Sequence, residues 1–541
     1  MKRLRRRWIW TLVAVGSALT IALILFISAV PLRSEILKDR IVQTLADRLN
    51  GDVALDSLTL RVLPRLHAVG SGLLIRQRGR PDVPPLIAIK QFTVDANLVG
   101  VWRKHVASVQ LSGLDISIPP DDDDSDDDRD HSDHRLHSSG TAPTTAARTD
   151  DTLHTSPASF AGGVVIDTLE STDARLIIVP RETNKAPKVW AIHSLTMHNV
   201  SGTEPMPFDA TLTNGVPPGE IVTSGRFGPW ARHKPGATPL GGNFTFDNAD
   251  LSVFRGIAGT LSSRGSFKGS LNRIDVNGET ETPNFVIEVG GHPFPLHTTY
   301  HAIVDGTTGD TLLERIDGDF LHSTLVAKGA VLDGPTGQKG RTVSLDITMS
   351  KARIEDIMTM AVKTKPAPMT GALQLSSKFL LPPGESDVAD RLRLNGQFTM
   401  LQARFTNREV QNKIVELSLR GRGKKAEGAP PEQVASDFKG RFVLGGGRLT
   451  LNGLVFAVPG AQVQLAGQYA LKPETLAFKG NLLMDVKISQ TVSGFKSLLL
   501  KVVDPLFGRP GGGSTIPIKI EGTRNDPKFG LDVGRVFSRG N

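Results

Sequence analysis

The chain has 541 residues, with 63 Lys and Arg against 55 Asp and Glu, a formal charge of +8, 55 Gly, 34 Pro and no cysteine. Without cysteine there are no disulfides, thiolate zinc sites or thiol chemistry. Most of the excess positive charge lies in the first seven residues, so the remainder is near balance and carries no general signature of nucleic-acid binding. The length suits roughly three or four ordinary domains or one elongated repeat, and the abundant Gly and Pro favour short strands and turns.

Residues 1–7 form a basic stub with Lys2, Arg3, Arg5, Arg6 and Arg7, followed by an uncharged, mostly apolar run from Trp8 to Val30. A helix of that length covers roughly 34 Å, enough to cross a hydrocarbon core. The preceding cations predict a cytoplasmic N-terminus with nearly all the rest of the chain on the opposite side of the membrane, Trp8 and Trp10 at the interface and Leu12, Leu23, Leu25 and Phe26 in the core. A cleaved signal peptide is the competing reading. Its apolar stretch runs to about 7–15 residues, shorter than this one.

Residues 31–118 read as a helix followed by a β-rich unit. Pro31 stops the membrane segment, Ser34 is a cap, and Leu37, Ile41, Val42, Leu45 and Leu49 recur at helical spacing up to Gly51. That helix is expected to pack over the first strands, the membrane surface being its other possible bed. The period then becomes two. Val53 and Leu55 alternate in one phase and Leu58, Leu60 and Val62 in the other, predicting a bulge or turn between them. Strands follow at Leu73–Arg76, Leu86–Val94 and Val106–Ile118.

Residues 119–158 carry DDDDSDDDRD and almost nothing apolar, the composition of a disordered linker. His131, His134 and His137 lie nearby, but a flexible tract supplies no fixed surround for a metal, and none is expected. Residues 159–541 are monotonous alternation broken by Gly, Pro, Asn and Asp. Examples are Val343, Leu345, Ile347 and Met349; Leu392 and Leu394 onward to Phe398 and Met400; and the series Leu449, Leu451, Val463, Leu465, Leu482, Met484, Val486 and Ile488. Only Ala352–Val362 and Ser489–Val503 read as helices. Alternation with one apolar face and so few helices requires a sheet that closes, stacks on another sheet, or curls around something apolar. From periodicity alone, closure or stacking is the first expectation.

No G-x-S-x-G, H-E-x-x-H or Walker A pattern is present, and GPTGQKG at 334–340 reads as a turn. The chain is therefore expected to be neither an enzyme nor a cofactor binder, although a carboxylate pair meeting only in space would leave no mark in the sequence.

Several phrases, in this order along the chain, resemble the AsmA-like family of bacterial envelope proteins. Near the front they are Leu63-Pro64, Gly70-Ser71-Gly72-Leu73, Pro84-Pro85-Leu86-Ile87-Ala88-Ile89 and Leu111-Ser112-Gly113-Leu114. Later come Met369-Thr370-Gly371, Leu381-Pro382-Pro383-Gly384, Phe456-Ala457-Val458-Pro459-Gly460-Ala461, Gly494-Phe495-Lys496-Ser497-Leu498-Leu499, and Pro517-Ile518-Lys519-Ile520-Glu521-Gly522-Thr523 continuing to Asp526-Pro527-Lys528-Phe529. The aspartate-rich linker departs from the pattern.

The resemblance, which extends to the bridge-like lipid-transfer superfamily, implies a single N-terminal transmembrane helix followed by a long twisted antiparallel β-sheet. It implies that this sheet curls into an open apolar groove for phospholipid acyl chains, lined here by Leu449, Leu451, Val463, Leu465, Leu482, Met484, Val486 and Ile488. The implied partners are membrane phospholipids, the inner membrane and other envelope proteins, with no nucleic acid. Some 20–25 strands would make a groove of roughly 100–120 Å. The stretch Val492–Phe507 is amphipathic, either a cap on the open end of the sheet or a contact for a second membrane or partner. A structural or assembly factor that does not move lipid is the alternative; an exported hydrolase is a third reading.

Overall fold

A computed structural model describes residues 35–49, 51–62, 65–77, 84–118, 164–179, 187–231, 234–334, 340–424, 434–487, 512–523 and 526–532. These residues are mainly β with few short helices, as the alternation predicts. No helix among them is long and apolar enough to cross a membrane. The expected span Trp8–Val30, with Trp8, Trp10, Leu12, Leu23, Leu25 and Phe26, lies outside the described residues, as do the acidic stretch 119–158, Ile488 and the expected helix Ser489–Val503. Two compact units emerge, Met1–Ala210 with Arg226–Pro239, and Thr211–Gly225 with Leu240–Asn541.

In the first unit, helix α1 (Glu35–Leu49) leads into β1 (Gly51–Ala54) and β2 (Ser57–Arg61). Ile41, Val42 and Leu45 on α1 are half-buried, and the helix lies beside β1. Both short strands pair with β3 (Leu66–Gln77), β1 against its C-terminal part and β2 against its N-terminal part. The phase change near Leu55 is thus an interruption in one edge line, where the Asp56 N–H donates to the Ser71 carbonyl. Next come β4 (Ile87–Ala96), the short helix α2 (Leu98–Trp102), β5 (His105–Ile118), β6 (Val165–Ile178) and β7 (Lys188–Val200). Ile89, Leu114 and Ala174 form the core of this sheet.

One expectation is corrected here. The sheet is not wholly antiparallel, because β5 and β6 run parallel in register from His105 opposite Val165 to Ile118 opposite Ile178. A parallel pair needs a crossover of a dozen or more residues. The segment between Ile118 and Val165 is far longer than that and joins two paired strands. Asp115 and Arg175, directly opposite in this pair, hold the register with a two-pronged contact, Nε to Oδ1 at 2.7 Å and Nη2 to Oδ2 at 2.5 Å. The two compact units divide near Ala210.

Strands β8 (Met206–Gly215) and β9 (Pro218–Phe227) straddle that boundary. The second unit continues with β10 (Pro239–Asp250), β11 (Ile257–Ala258), β12 (Thr260–Ser270), β13 (Arg273–Ile287), β14 (Phe294–Val304), β15 (Thr311–Phe320), β16 (Ser323–Asp333) and β17 (Arg341–Arg353). After helix α3 (Ile354–Ala361) come β18 (Met369–Leu381), the single turn α4 (Val388–Arg391), β19 (Arg393–Phe405) and helix α5 (Arg408–Gly421). The unit ends with β20 (Ser436–Gly445), β21 (Arg448–Val458), β22 (Ala461–Ala470), β23 (Thr475–Met484), β24 (Ser514–Thr523) and β25 (Pro527–Leu531). From β12 to β25 each strand pairs antiparallel with the next. Among the described residues β25 pairs only with β24, so the ladder does not close, contrary to the expectation from periodicity alone.

Helix α3 starts two residues later than predicted because Ala352 and Arg353 still belong to β17. Its first-turn Asp356 is buried, accepting from the His322 N–H at 2.9 Å and the Ser323 hydroxyl at 2.6 Å. Glu355 accepts from the Gly371 N–H at 3.0 Å and thereby ties α3 to β18. Helix α5 was not foreseen, yet its signal is in the sequence. Asn407 accepts from the N–H groups of Glu409 and Val410, and Ile414 and Leu417 point their spacing at one face.

Candidate functional site: one apolar face of the second unit

Cross-strand partners in an antiparallel ladder point to the same side, so the register decides which candidate residues share a face. Val463 lies opposite Leu482, Leu465 opposite Gly480, and Ala461 opposite Met484. Leu449 lies opposite Tyr469 and Leu451 opposite Gly467. A bulge between Leu451 and Leu454 restores the phase, leaving Leu454, Phe456 and Val458 on that same side. Six of the candidates, Leu449, Leu451, Val463, Leu465, Leu482 and Met484, are therefore neighbours on one face. Val486 sits just past β23, half-buried, and its carbonyl accepts from the Ser514 hydroxyl at 3.0 Å.

The face extends much further than those residues. One rung of partners runs Gly265, Gly278, Tyr300, Ile316, Ala327, Ile347, Ser377, Gly396, Phe442, Leu451, Gly467, Phe478 and Ile520, from β12 to β24. No charged side chain interrupts it. The reverse of the same strands is mainly polar and exposed, with Asp346, Lys378, Asn395, Gln397, Lys439, Arg441, Gln464 and Lys479 among a few exposed apolar residues such as Val326 and Val443. Bulges in β13, β15, β17, β19 and β21 each insert one residue without mixing the faces.

Burial divides this face in two. At the ends of the strands beneath α3 it is a packed core of Phe294, Phe320, Met349, Leu373 and Met400, with Ile357 and Met358 of α3 against it. Beneath α5 a second cluster contains Phe456, Val458, Ala461 and Met484, with Val463 and Leu482 packed beside them. The Phe438 and Phe456 rings stack there with centroids 4.7 Å apart. Met484, only 5% exposed, thus belongs to a closed core and not to an open floor. Away from the helices, Val276, Leu345, Phe379, Leu394, Leu449, Leu451, Leu465, Leu476, Ile518 and Ile520 remain half-buried on the same face.

A second feature of the face had only a faint sequence signal, a glycine midway along many strands. A Cβ at Gly480 would overlap the Gln464 carbonyl oxygen, at Gly467 that of Ala477, at Gly396 that of Ser376, and at Gly265 that of Asn277. In each case the backbone of the paired strand occupies the space of a side chain. Aromatic rings lie over several of these positions: Tyr300 at Gly278, Phe442 at Gly396, Phe398 at Gly440 and Phe478 at Gly467. The pairing of a glycine with a cross-strand ring recurs in the first unit, where Phe92 covers Gly70.

Titratable groups gather on the polar face instead. His301 lies between Asp275 at 3.2 Å and Glu314 at 3.0 Å, and its hydrogen bond holds the Asp275 carboxyl below its ordinary range. Arg315 does the same for Asp317. Tyr300, on the apolar face, has its phenol pushed up by burial. Among the described residues no group of three His, Cys, Asp or Glu side chains is placed to hold a metal ion. No family model, no curated protein and no solved structure matches this chain.

Proposed function

We propose that the chain is a lipid-binding protein of the bacterial envelope, anchored in the inner membrane by Trp8–Val30, whose second unit carries phospholipid acyl chains on its apolar face. The observation that carries this reading is a continuous apolar face, covered by helices at one margin and half-open beyond it, across a ladder that does not close. Leaving such a face in water costs about 25 cal/mol for each Å². Acyl chains match it in chemistry, shape and lack of charge. The close backbone approach at Gly265, Gly396, Gly467 and Gly480 supports a bend toward the apolar side, since glycine in a strand marks a tight corner. Such a bend turns the face into a groove whose polar headgroups stay at the lip. At about 4.8 Å for each strand, β12 to β25 would give a track of roughly 60 Å.

Movement along it would be non-covalent sliding with no bond made or broken, which fits the lack of a catalytic framework in the sequence. The phrases shared with the AsmA-like family point to the same role. The test is mass spectrometry of lipid co-purifying with the detergent-extracted full chain, followed by titration with a fluorescent acyl probe. Bound phospholipid and saturable probe uptake are expected. A chain that carries no lipid and takes up no probe would sink the proposal.

A further inference from the structure

One end of the first-unit sheet carries an unexplained combination of side chains. Where β4 turns through α2 into β5, Trp102 is 85% exposed and Val99 61%, with Val164, just before β6, exposed beside them. Arg103 and Lys104 close the same turn, and Arg61 and Arg65 stand at the matching end of β2 and β3, all four exposed. The carboxylates there are already engaged, Asp95 with His67 at 2.7 Å and Asp167 with His105 at 3.1 Å. An exposed indole with exposed cations at the same end of a sheet is the arrangement of an interfacial membrane contact.

The direction of α1 says which membrane. Its last residues pass into Gly51, opposite Gln77 at the C-terminal end of β3. The helix lies beside β1, which runs from there toward the middle of β3, and its first turn holds Lys38, paired with Glu35 at 2.6 Å and within the field of Asp56. Asp56 lies against Gly72, in the middle of β3. The N-terminus of α1 therefore points toward the Leu66 end of the sheet, the end that bears Trp102.

We propose that the Leu98–Lys104 turn docks on the surface of the membrane crossed by Trp8–Val30, with Trp102 and Val99 in the headgroup layer and Arg103, Lys104, Arg61 and Arg65 on lipid phosphates. This contact rests on the anchor reading. It gives the first unit a second point of attachment, so the unit is held in one orientation instead of swivelling about its tether.

The test uses the full chain in vesicles of phosphatidylethanolamine and phosphatidylglycerol. Of the five tryptophans, Trp8, Trp10, Trp190 and Trp230 are changed to Phe, leaving Trp102. Vesicles with brominated acyl chains should quench its emission and shift it to the blue, whereas a variant retaining only Trp190 should not respond. Arg103→Glu with Lys104→Glu should lose most of the quenching. Because the chain has no cysteine, Val99→Cys with a spin label gives an independent depth, expected at the headgroups, should the tryptophan variant not fold. An unquenched Trp102 or a label in bulk water, on a chain that stays in carbonate-washed vesicles, overturns the contact and leaves the anchor standing. A blue shift that vanishes on dilution without lipid quenching assigns the turn to a second copy and overturns it too. A chain that washes off the vesicles removes the anchor and this contact together.

Discussion

Beneath α5, the apolar face of the second unit is closed by Met484, Phe456 and Val458; a few residues along the same strands it is left half-open at Leu451, Leu465 and Leu476. The strands, the alternation and the residue types are the same in both places. What differs is whether a helix lies on top. The comparison teaches that apolar alternation specifies a face that avoids water and leaves open what will cover it. A side chain with partners on every side contributes to folding, whereas one with an uncovered flank is available to a ligand.

The contrast is broken most sharply by placing one charge in each region. Met484→Asp removes a buried side chain and strands a carboxylate, at an expected cost of about 4 kcal/mol, seen as a loss of cooperative unfolding in denaturant titrations. A cost near zero would mean that the α5 cluster is no core. Gly480→Val drives a side chain into the Gln464 carbonyl, so about 3 kcal/mol and local loss of protection in amide exchange of β22 and β23 are expected. Asp356→Ala leaves the Ser323 hydroxyl and the His322 N–H without their acceptor, expected to cost about 2 kcal/mol and to loosen α3 in the same exchange experiment.

Leu465→Asp, on the open part, should cost about 1 kcal/mol or less in stability while abolishing acyl-probe uptake. Equal damage to folding at Leu465 and Met484 would erase the distinction. The smallest effect is expected from pH. The Asp275 and Asp317 carboxyls are held below their ordinary range in the folded chain, first by hydrogen bonds from His301 and Arg315. They therefore stabilise above the ordinary carboxylate range and lose that contribution as pH falls through their folded values. Asp275→Asn should flatten this acid limb of a melting-temperature profile slightly, without changing uptake.

Much of this was legible in residue order. The period of two predicted the β class, and Leu449, Leu451, Val463, Leu465, Leu482 and Met484 do share one face because each strand's alternation was clean. The bulge after Leu451 was not readable, since inserting one residue changes the apparent phase while the register compensates. The parallel pairing of β5 with β6 was hidden for a different reason. The acidic composition of 121–130 predicts a segment that buries little, but it carries no information about whether the strands on either side meet. Helix α5 hides between strands because its Asn407 cap and Ile414–Leu417 spacing are short signals inside a long alternating stretch.

By itself, the sequence determined that apolar side chains would collect on one side of a long ladder, because in-and-out alternation is a property of each strand alone. It also determined where the backbone can crowd, at glycines such as Gly467 and Gly480. Only the tertiary structure decided which stretches of that face are core and which stay open, since that depends on where α3 and α5 land. The same holds for the Trp8–Val30 segment. Its length and charge flanks predict a membrane span, whereas the placing of Trp102 and the N-terminus of α1 toward one end of the first-unit sheet is read only from the tertiary structure.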